Sequence, residues 1–406
     1  MKSTSAVVLC CTTLLVSSLA VARTQILLPD DGRAQDQFGY SVAIDGTTAL
    51  VGALNADVGQ LEDAGAAYVF TLGLEGWQQQ AKLVAQPAHQ QDTLGGNVAL
   101  YNQVAMLGVI GRDDNGENAG AVFAFERTAS TWSQTQMLTA FDGKAGDGFG
   151  QSIALTEQFL VIGAPRSDAP LQDSGAAYVY HRDQHRWRFQ GKLTAKDGAE
   201  GDLFGISVAI DGDTLLVGAD LNDEKAEKAG AVYAYVFDGE QWRQQAKLMA
   251  DDGADTDIFG VRVALSGDTA LISARRDDVE GIGTDAGSAY IFERTNGAWR
   301  QTQKLIAPDG NADDRFARGV ALNKHTAIIS AMHNDEQADN AGAVYVFKKQ
   351  QGQWRYVSKK LASDGVAQDR FGWNLALGDT AAIIAAPHRD DNGDASGAAY
   401  ILALED

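Results

Sequence analysis

The sequence predicts an all-β chain, a seven-bladed β-propeller of four-stranded antiparallel blades whose ring is closed by an N-terminal strand completing the last blade. Three observations carry this. One segment recurs seven times at near-constant spacing, each unit holds four short strand-like runs between Gly and Asp turns, and the last unit lacks the strand that the N-terminus can supply.

The recurring segment is Ala64 to Phe70, which returns with small changes at Ala119, Ser174, Ala229, Ala286, Ala341 and Ser396. Six copies are followed by a tryptophan, namely Trp77, Trp132, Trp187, Trp242, Trp299 and Trp354. Ahead of each copy stands Phe-Gly or a variant: Phe38-Gly39, Leu94-Gly95, Phe149-Gly150, Phe204-Gly205, Phe259-Gly260, Phe316-Ala317 and Phe371-Gly372. An aspartate precedes each by two residues, from Asp36 through Asp92, Asp147, Asp202, Asp257 and Asp314 to Asp369.

In the fourth unit the strand-like runs are Ser207 to Ile210, Thr214 to Gly218, Gly230 to Tyr235 and Gln241 to Leu248. They are short, rich in Val, Ile, Tyr and Leu, and bounded by turn residues, and no window carries a sustained apolar stripe of helical period. The seventh unit stops at Leu404 after its third strand. Thr24 to Leu28, followed by Asp30-Asp31-Gly32, repeats the pattern of Thr135 to Leu138 followed by Asp142-Gly143, so it is expected to be the missing outer strand. Such closure leaves no unpaired blade end.

Residues 1–22 read as a signal peptide: Lys2, an apolar run from Ala6 to Leu19, and the small-x-small pattern Ala20-Val21-Ala22. The propeller then occupies residues 23–406, and the chain is expected to be secreted or periplasmic. Both cysteines, Cys10 and Cys11, lie in the leader, so the mature chain holds no disulfide, thiolate metal site or cysteine nucleophile. Loss of Lys2 takes the formal charge from −21 to −22. That balance argues against nucleic acid or an anionic membrane as partner, since both demand a basic footprint.

These repeats resemble the FG-GAP family, which includes the propeller of integrin α-chains and many bacterial secreted proteins. The resemblance rests on the seven Phe-Gly positions and on a Gly-Ala element ending the second strand, as at Gly52-Ala53, Gly163-Ala164 and Gly218-Ala219. It implies the propeller fold and a binding or adhesion role. The integrin calcium loop between the Phe-Gly and Gly-Ala strands is not matched, because only short turns such as Asp45-Gly46-Thr47 and Asp211-Gly212-Asp213 stand there. Calcium remains possible at two other acidic loops, through Asp113 and Asn115 and through Asp390, Asn392 and Asp394.

Strands one and three of a meander run the same way, so the loops leading into them open on one face of the disc, and that face is expected to be acidic. Departures from the repeat are the better guide to a ligand site, since repeated positions answer to packing. The residue after Phe-Gly, or the next one, is Tyr40 in the first unit, Arg262 in the fifth, Arg318 in the sixth and Trp373 in the seventh. These four are the ligand-binding candidates, at the start of the innermost strand near the channel mouth.

Catalytic constellations are thin. Gly-x-Ser occurs at Ser41, Ser152 and Ser207, but these are equivalent positions of three repeats, which argues for a structural duty. His181 and His185 sit in a hairpin and do not converge. The expected function is therefore a non-catalytic binding or adhesion module that presents an acidic face to an extracellular protein. A glycan-binding propeller and a propeller hydrolase or lyase are the alternatives.

Overall fold

Four-stranded sheets repeat seven times around a ring in the computed structural model, which describes residues 24–404. The expected leader lies outside the described residues. No helix occurs among the described residues.

The first blade shows the plan. Strand β2 (Phe38–Asp45) is innermost, followed outward by β3 (Thr48–Ala53), β4 (Ala66–Gly73) and β5 (Gly76–Leu83), each antiparallel to the one before. The next five blades span residues 97–138, 152–193, 208–248, 263–305 and 316–360. In the fourth blade the observed strands, Val208–Asp211, Thr214–Ala219, Ala231–Phe237 and Trp242–Leu248, fall within two residues of the ranges expected from sequence.

Burial follows position in the blade. All six residues of β3 are buried, because each blade is covered on both faces by its neighbours, and a strand covered on both faces needs a continuous apolar run. Outer strands such as Thr131–Leu138 alternate between exposed and partly buried residues instead. The apolar side chains form seven clusters, each drawn from two adjacent blades, so the core is a ring of blade interfaces.

One cluster joins the first and last blades, packing Phe38, Val51 and Tyr68 against Ile383 and Ile401. The last blade is completed as the repeats imply. Strand β1 (Gln25–Leu27) pairs antiparallel with the third strand of that blade, Ala398–Ala403, through Gln25 opposite Ile401 and Leu27 opposite Ala399. Leu27 packs toward the first blade while Ile26 and Leu28 pack toward the sixth. The side chain of Gln25 also makes two hydrogen bonds to the backbone of Trp77, as Gln136 does to Trp187. The closing strand thus does for the seventh blade what a regular outer strand does for the second.

The Phe-Gly element is an inter-blade stitch. The Phe204 N–H donates to Ser174 O of the preceding blade at 3.1 Å, and Phe38 does the same to Ser396 across the closure at 3.0 Å. The glycine after it has no room for a side chain. Gly205 has φ +97°, and a Cβ there would stand 2.3 Å from Ala176 O. In the second strand of the preceding blade, a Cβ on Gly163 would stand 2.0 Å from Gly205 O, so the two signature glycines let neighbouring blades approach backbone to backbone.

Candidate functional site at the channel mouth

The repeated carboxylates are consumed by the fold. Each aspartate of the Asp-x-Phe-Gly series is buried and accepts the backbone N–H three residues earlier, at 2.7 to 3.0 Å, closing the turn that leads into the innermost strand. The aspartates after the outer strands tie blades together. Asp142 accepts from Tyr178 at 2.7 Å and from Lys192 at 2.8 Å in the next blade, and Asp31 with Tyr68 and Lys82, and Asp309 with Tyr345 and Lys359, repeat the arrangement.

The two candidate calcium loops are bonded in the same internal way. Asp113 accepts the Asn118 N–H at 2.7 Å, and the Asn115 amide donates to Ala140 O at 2.8 Å. Asp390 accepts the Ala395 N–H at 2.8 Å, Asp394 accepts from Gln35 at 2.6 Å, and the Asn392 N–H donates to Ser396. The ligands do not converge. Among the described residues no group of three or more His, Cys, Asp or Glu side chains is gathered to hold a metal.

The Gly-x-Ser serines are also structural. Ser41, Ser152 and Ser207 donate to the carbonyls of Gly95, Gly205 and Gly260 in the following blade, at 2.6, 2.8 and 2.6 Å, all buried.

The four non-repeating candidates come together. Tyr40 and Trp373, from the first and last blades, have ring centroids 5.6 Å apart. The Arg318 guanidinium from the sixth blade lies over the Trp373 ring at 4.4 Å. Arg262, from the fifth blade, is within electrostatic reach of both Tyr40 and Arg318. Fifth and first blades are not neighbours, so this group spans the channel that the innermost strands enclose. Two strand irregularities aim these side chains. The pairing register of β2 slips between Phe38 and Ser41, and that of strand Phe316–Leu322 slips between Phe316 and Val320, so Tyr40 and Arg318 stand in bulges.

Further residues join the group. Arg275 and Asp220 occupy the position after the Gly-Ala element in the fifth and fourth blades, and Arg370 and His388 flank Trp373, with Arg370 over its ring at 5.7 Å and His388 edge-on at 5.6 Å. Burial pushes the Asp220 carboxyl up to about 6, although Arg275 and Arg262 pull the other way. Burial lowers Arg275 to about 10, with Arg262, Arg276 and Arg315 adding repulsion. Arg318 is held well below its ordinary value by burial and then by Arg262 and Arg275. Burial also lowers His388 and His333, the former helped by Arg370 and the latter by Arg315.

A family model described as the FG-GAP repeat matches seven times, over residues 21–70, 77–125, 132–180, 187–237, 242–292, 299–347 and 354–402. The chain belongs to the FG-GAP repeat family. Its seven matches fall in step with the seven blades. No curated protein matches this FG-GAP chain in sequence. Among solved structures, a chain of the "Crystal Structure of Mitotic Checkpoint Complex" superposes with a TM-score of 0.55 at 11% identity, over 99% of this chain and 100% of the other, a likeness of fold.

The acidic face expected from the loops needs one correction. At the inner rim over blades five to seven arginines gather: Arg262 and Arg275 act on the buried Asp220, Arg262 and Arg275 also act on Arg318 with Arg370 beside it, and Arg315 pairs with Asp313 at 3.0 Å. Tyr40, Arg262, Arg318 and Trp373 are apparent in sequence as departures in the two columns that follow Phe-Gly. The same comparison one strand later would have found Asp220 and Arg275, which stand where other units have Leu54, Ile110, Pro165, Met332 and Pro387.

Proposed function

We propose that this FG-GAP chain is a secreted or periplasmic, non-catalytic binding module that engages an extracellular protein partner at the channel mouth. The observation that supports this reading is the break in sevenfold regularity. Side chains of blades one, four, five, six and seven converge there with hydrogen-bonding capacity that the fold does not use, whereas the repeated polar groups described above are bonded within the ring. The outer acidic loops then give solubility and a surround to the site rather than its anchors.

A glycan ligand is the second reading, favoured by the partly exposed aromatic pair Tyr40 and Trp373. Capture of partners from extracellular material by the immobilised mature chain, beside a glycan array, separates the two. Tyr40→Ala and Trp373→Ala are expected to weaken binding by about 2 kcal/mol each, as anchors of an interface do. Asp211→Ala, on the hairpin side of the disc, is expected to leave it unchanged. Binding lost only on changing Asp211 would overturn the assignment.

A further inference from the structure

We propose that the channel mouth is an oxyanion site in which Arg262, Arg275 and Arg318 together hold a carboxylate, phosphate or sulfate group of the ligand. This deepens the binding-module reading above and rests on it.

The argument starts from unused donors. Arg318 is 8% exposed, and its Nε–H has no hydrogen-bond partner. The Arg275 Nε–H is equally buried and unpartnered. Among the described residues neither guanidinium donates a hydrogen bond to a protein group, and Arg262 donates a single one, from Nη1 to Val261 O at 2.9 Å. The buried Nε–H of Arg275 and of Arg318 is a donor left empty away from bulk water.

Charge points the same way. Three guanidiniums lie within electrostatic reach of one another, and the carboxylate that acts on Arg262 and Arg275 is Asp220, whose Oδ1 also lacks a partner. The groups nearby add repulsion, since Arg276 and Arg315 act on Arg275 and Arg370 acts on Arg318. In a chain of formal charge −21, this local excess of positive charge has a free-energy cost that an oxyanion would offset. Planar guanidinium forks match carboxylate, phosphate and sulfate oxygens in pairs.

The surroundings are built to hold the arginines rather than to employ them. Trp373 fixes the plane of Arg318 at 4.4 Å, so little side-chain freedom is left to lose on binding. Arg262 stands where Ser41, Ser152 and Ser207 tie blade to blade in other units. In its blade that duty passes to Ser273, in the position of the signature glycine, whose hydroxyl donates to Ala317 O at 2.6 Å. The repeat is thereby released from needing serine at 262, and an arginine takes the place.

The test is calorimetric and thermal titration of the mature chain with sodium sulfate, sodium phosphate and sodium acetate at millimolar concentration, against sodium chloride at equal ionic strength. The expected result is a saturable rise in melting temperature with at least one oxyanion and none with chloride. The ranking of the three salts identifies which group the ligand carries. Arg318→Met is expected to fold and to weaken the apparent affinity by about tenfold or more, as loss of charged hydrogen bonds does. Arg262→Gln supplies the same reading should the first variant fail to fold. Equal shifts in chloride, or undiminished oxyanion shifts in both variants, would overturn the proposal. If those shifts are absent while partner capture still depends on Tyr40 and Trp373, the oxyanion chemistry is refuted and the binding-module reading stands. If oxyanions bind but partner capture ignores the mouth, the reverse holds.

Discussion

Arg112 and Arg318 are both buried arginines that lie against an aromatic ring, Phe123 for the first and Trp373 for the second. Arg112 is bonded through two of its three nitrogens: Nη1 donates to Asp92 at 2.9 Å and to Pro87 O at 3.1 Å, and Nε donates to Asp114. Its place in the repeat is taken by Asn222 and Asn334, which donate to Asp202 and Asp314, the counterparts of Asp92. Arg318 has no counterpart in the repeat, and among the described residues its guanidinium donates no hydrogen bond. Arg112 is closed upon its own blade and its neighbour, and Arg318 is left open toward the channel. These two arginines are separated by whether their Nε–H is bonded.

The comparison can be broken from the structural side first. Removing residues 23–31 takes away β1, the buried Leu27 and the Gln25 bonds to Trp77, so it should cost about 3–6 kcal/mol by the usual scale for burying aliphatic side chains. A truncated chain with the wild-type melting temperature would show that the ring does not rely on the strand. Arg112→Met leaves Asp92 buried without its cation and should cost about 3–5 kcal/mol, measured by urea unfolding. A loss no larger than that of an exposed arginine would dissolve the contrast with Arg318.

The sign of a pH effect sharpens the other side. The Asp220 carboxyl stands at about 6 in the folded chain against an ordinary 3.8 when unfolded, so the folded state keeps its proton longer. Its contribution therefore favours folding below about pH 4 and is lost as pH rises through about 6, an effect of up to about 3 kcal/mol. Unfolding midpoints of wild type relative to Asp220→Asn should diverge across that window, with the variant the more stable at pH 7. Parallel curves would mean that Asp220 is charged and fully compensated. At the small end, Tyr178→Phe removes one bond to Asp142 and should cost about 1 kcal/mol, since Lys192 still holds the carboxylate.

Repeat structure made most of the fold legible. Seven Phe-Gly elements and the missing outer strand located every blade and the closure, because each reports a backbone constraint that recurs, such as the contact that forbids a Cβ at Gly163. The site was legible only in the two columns after Phe-Gly, whose departures are Tyr40, Arg262, Arg318 and Trp373. Asp220 and Arg275 stand one strand later, in the column after the Gly-Ala element where other units carry Leu54, Ile110, Pro165, Met332 and Pro387, and their approach to Arg370 depends on how blades four to seven meet around the channel. Net charge misled in a related way. Many of the acids lie in loops where Tyr, Lys and backbone N–H groups engage them, as at Asp142 and Asp113, so the total gives no account of the rim.

The central claim is that the mouth arginines serve a ligand and not the fold, and the melting temperature of Arg318→Met in oxyanion-free buffer, measured beside Arg112→Met, tests it most directly. Replacing an unpaired buried guanidinium by an apolar chain of similar length should leave the melting temperature at or above that of the wild type, while Arg112→Met falls well below it. A fall for Arg318→Met as large as that for Arg112→Met would contradict the account.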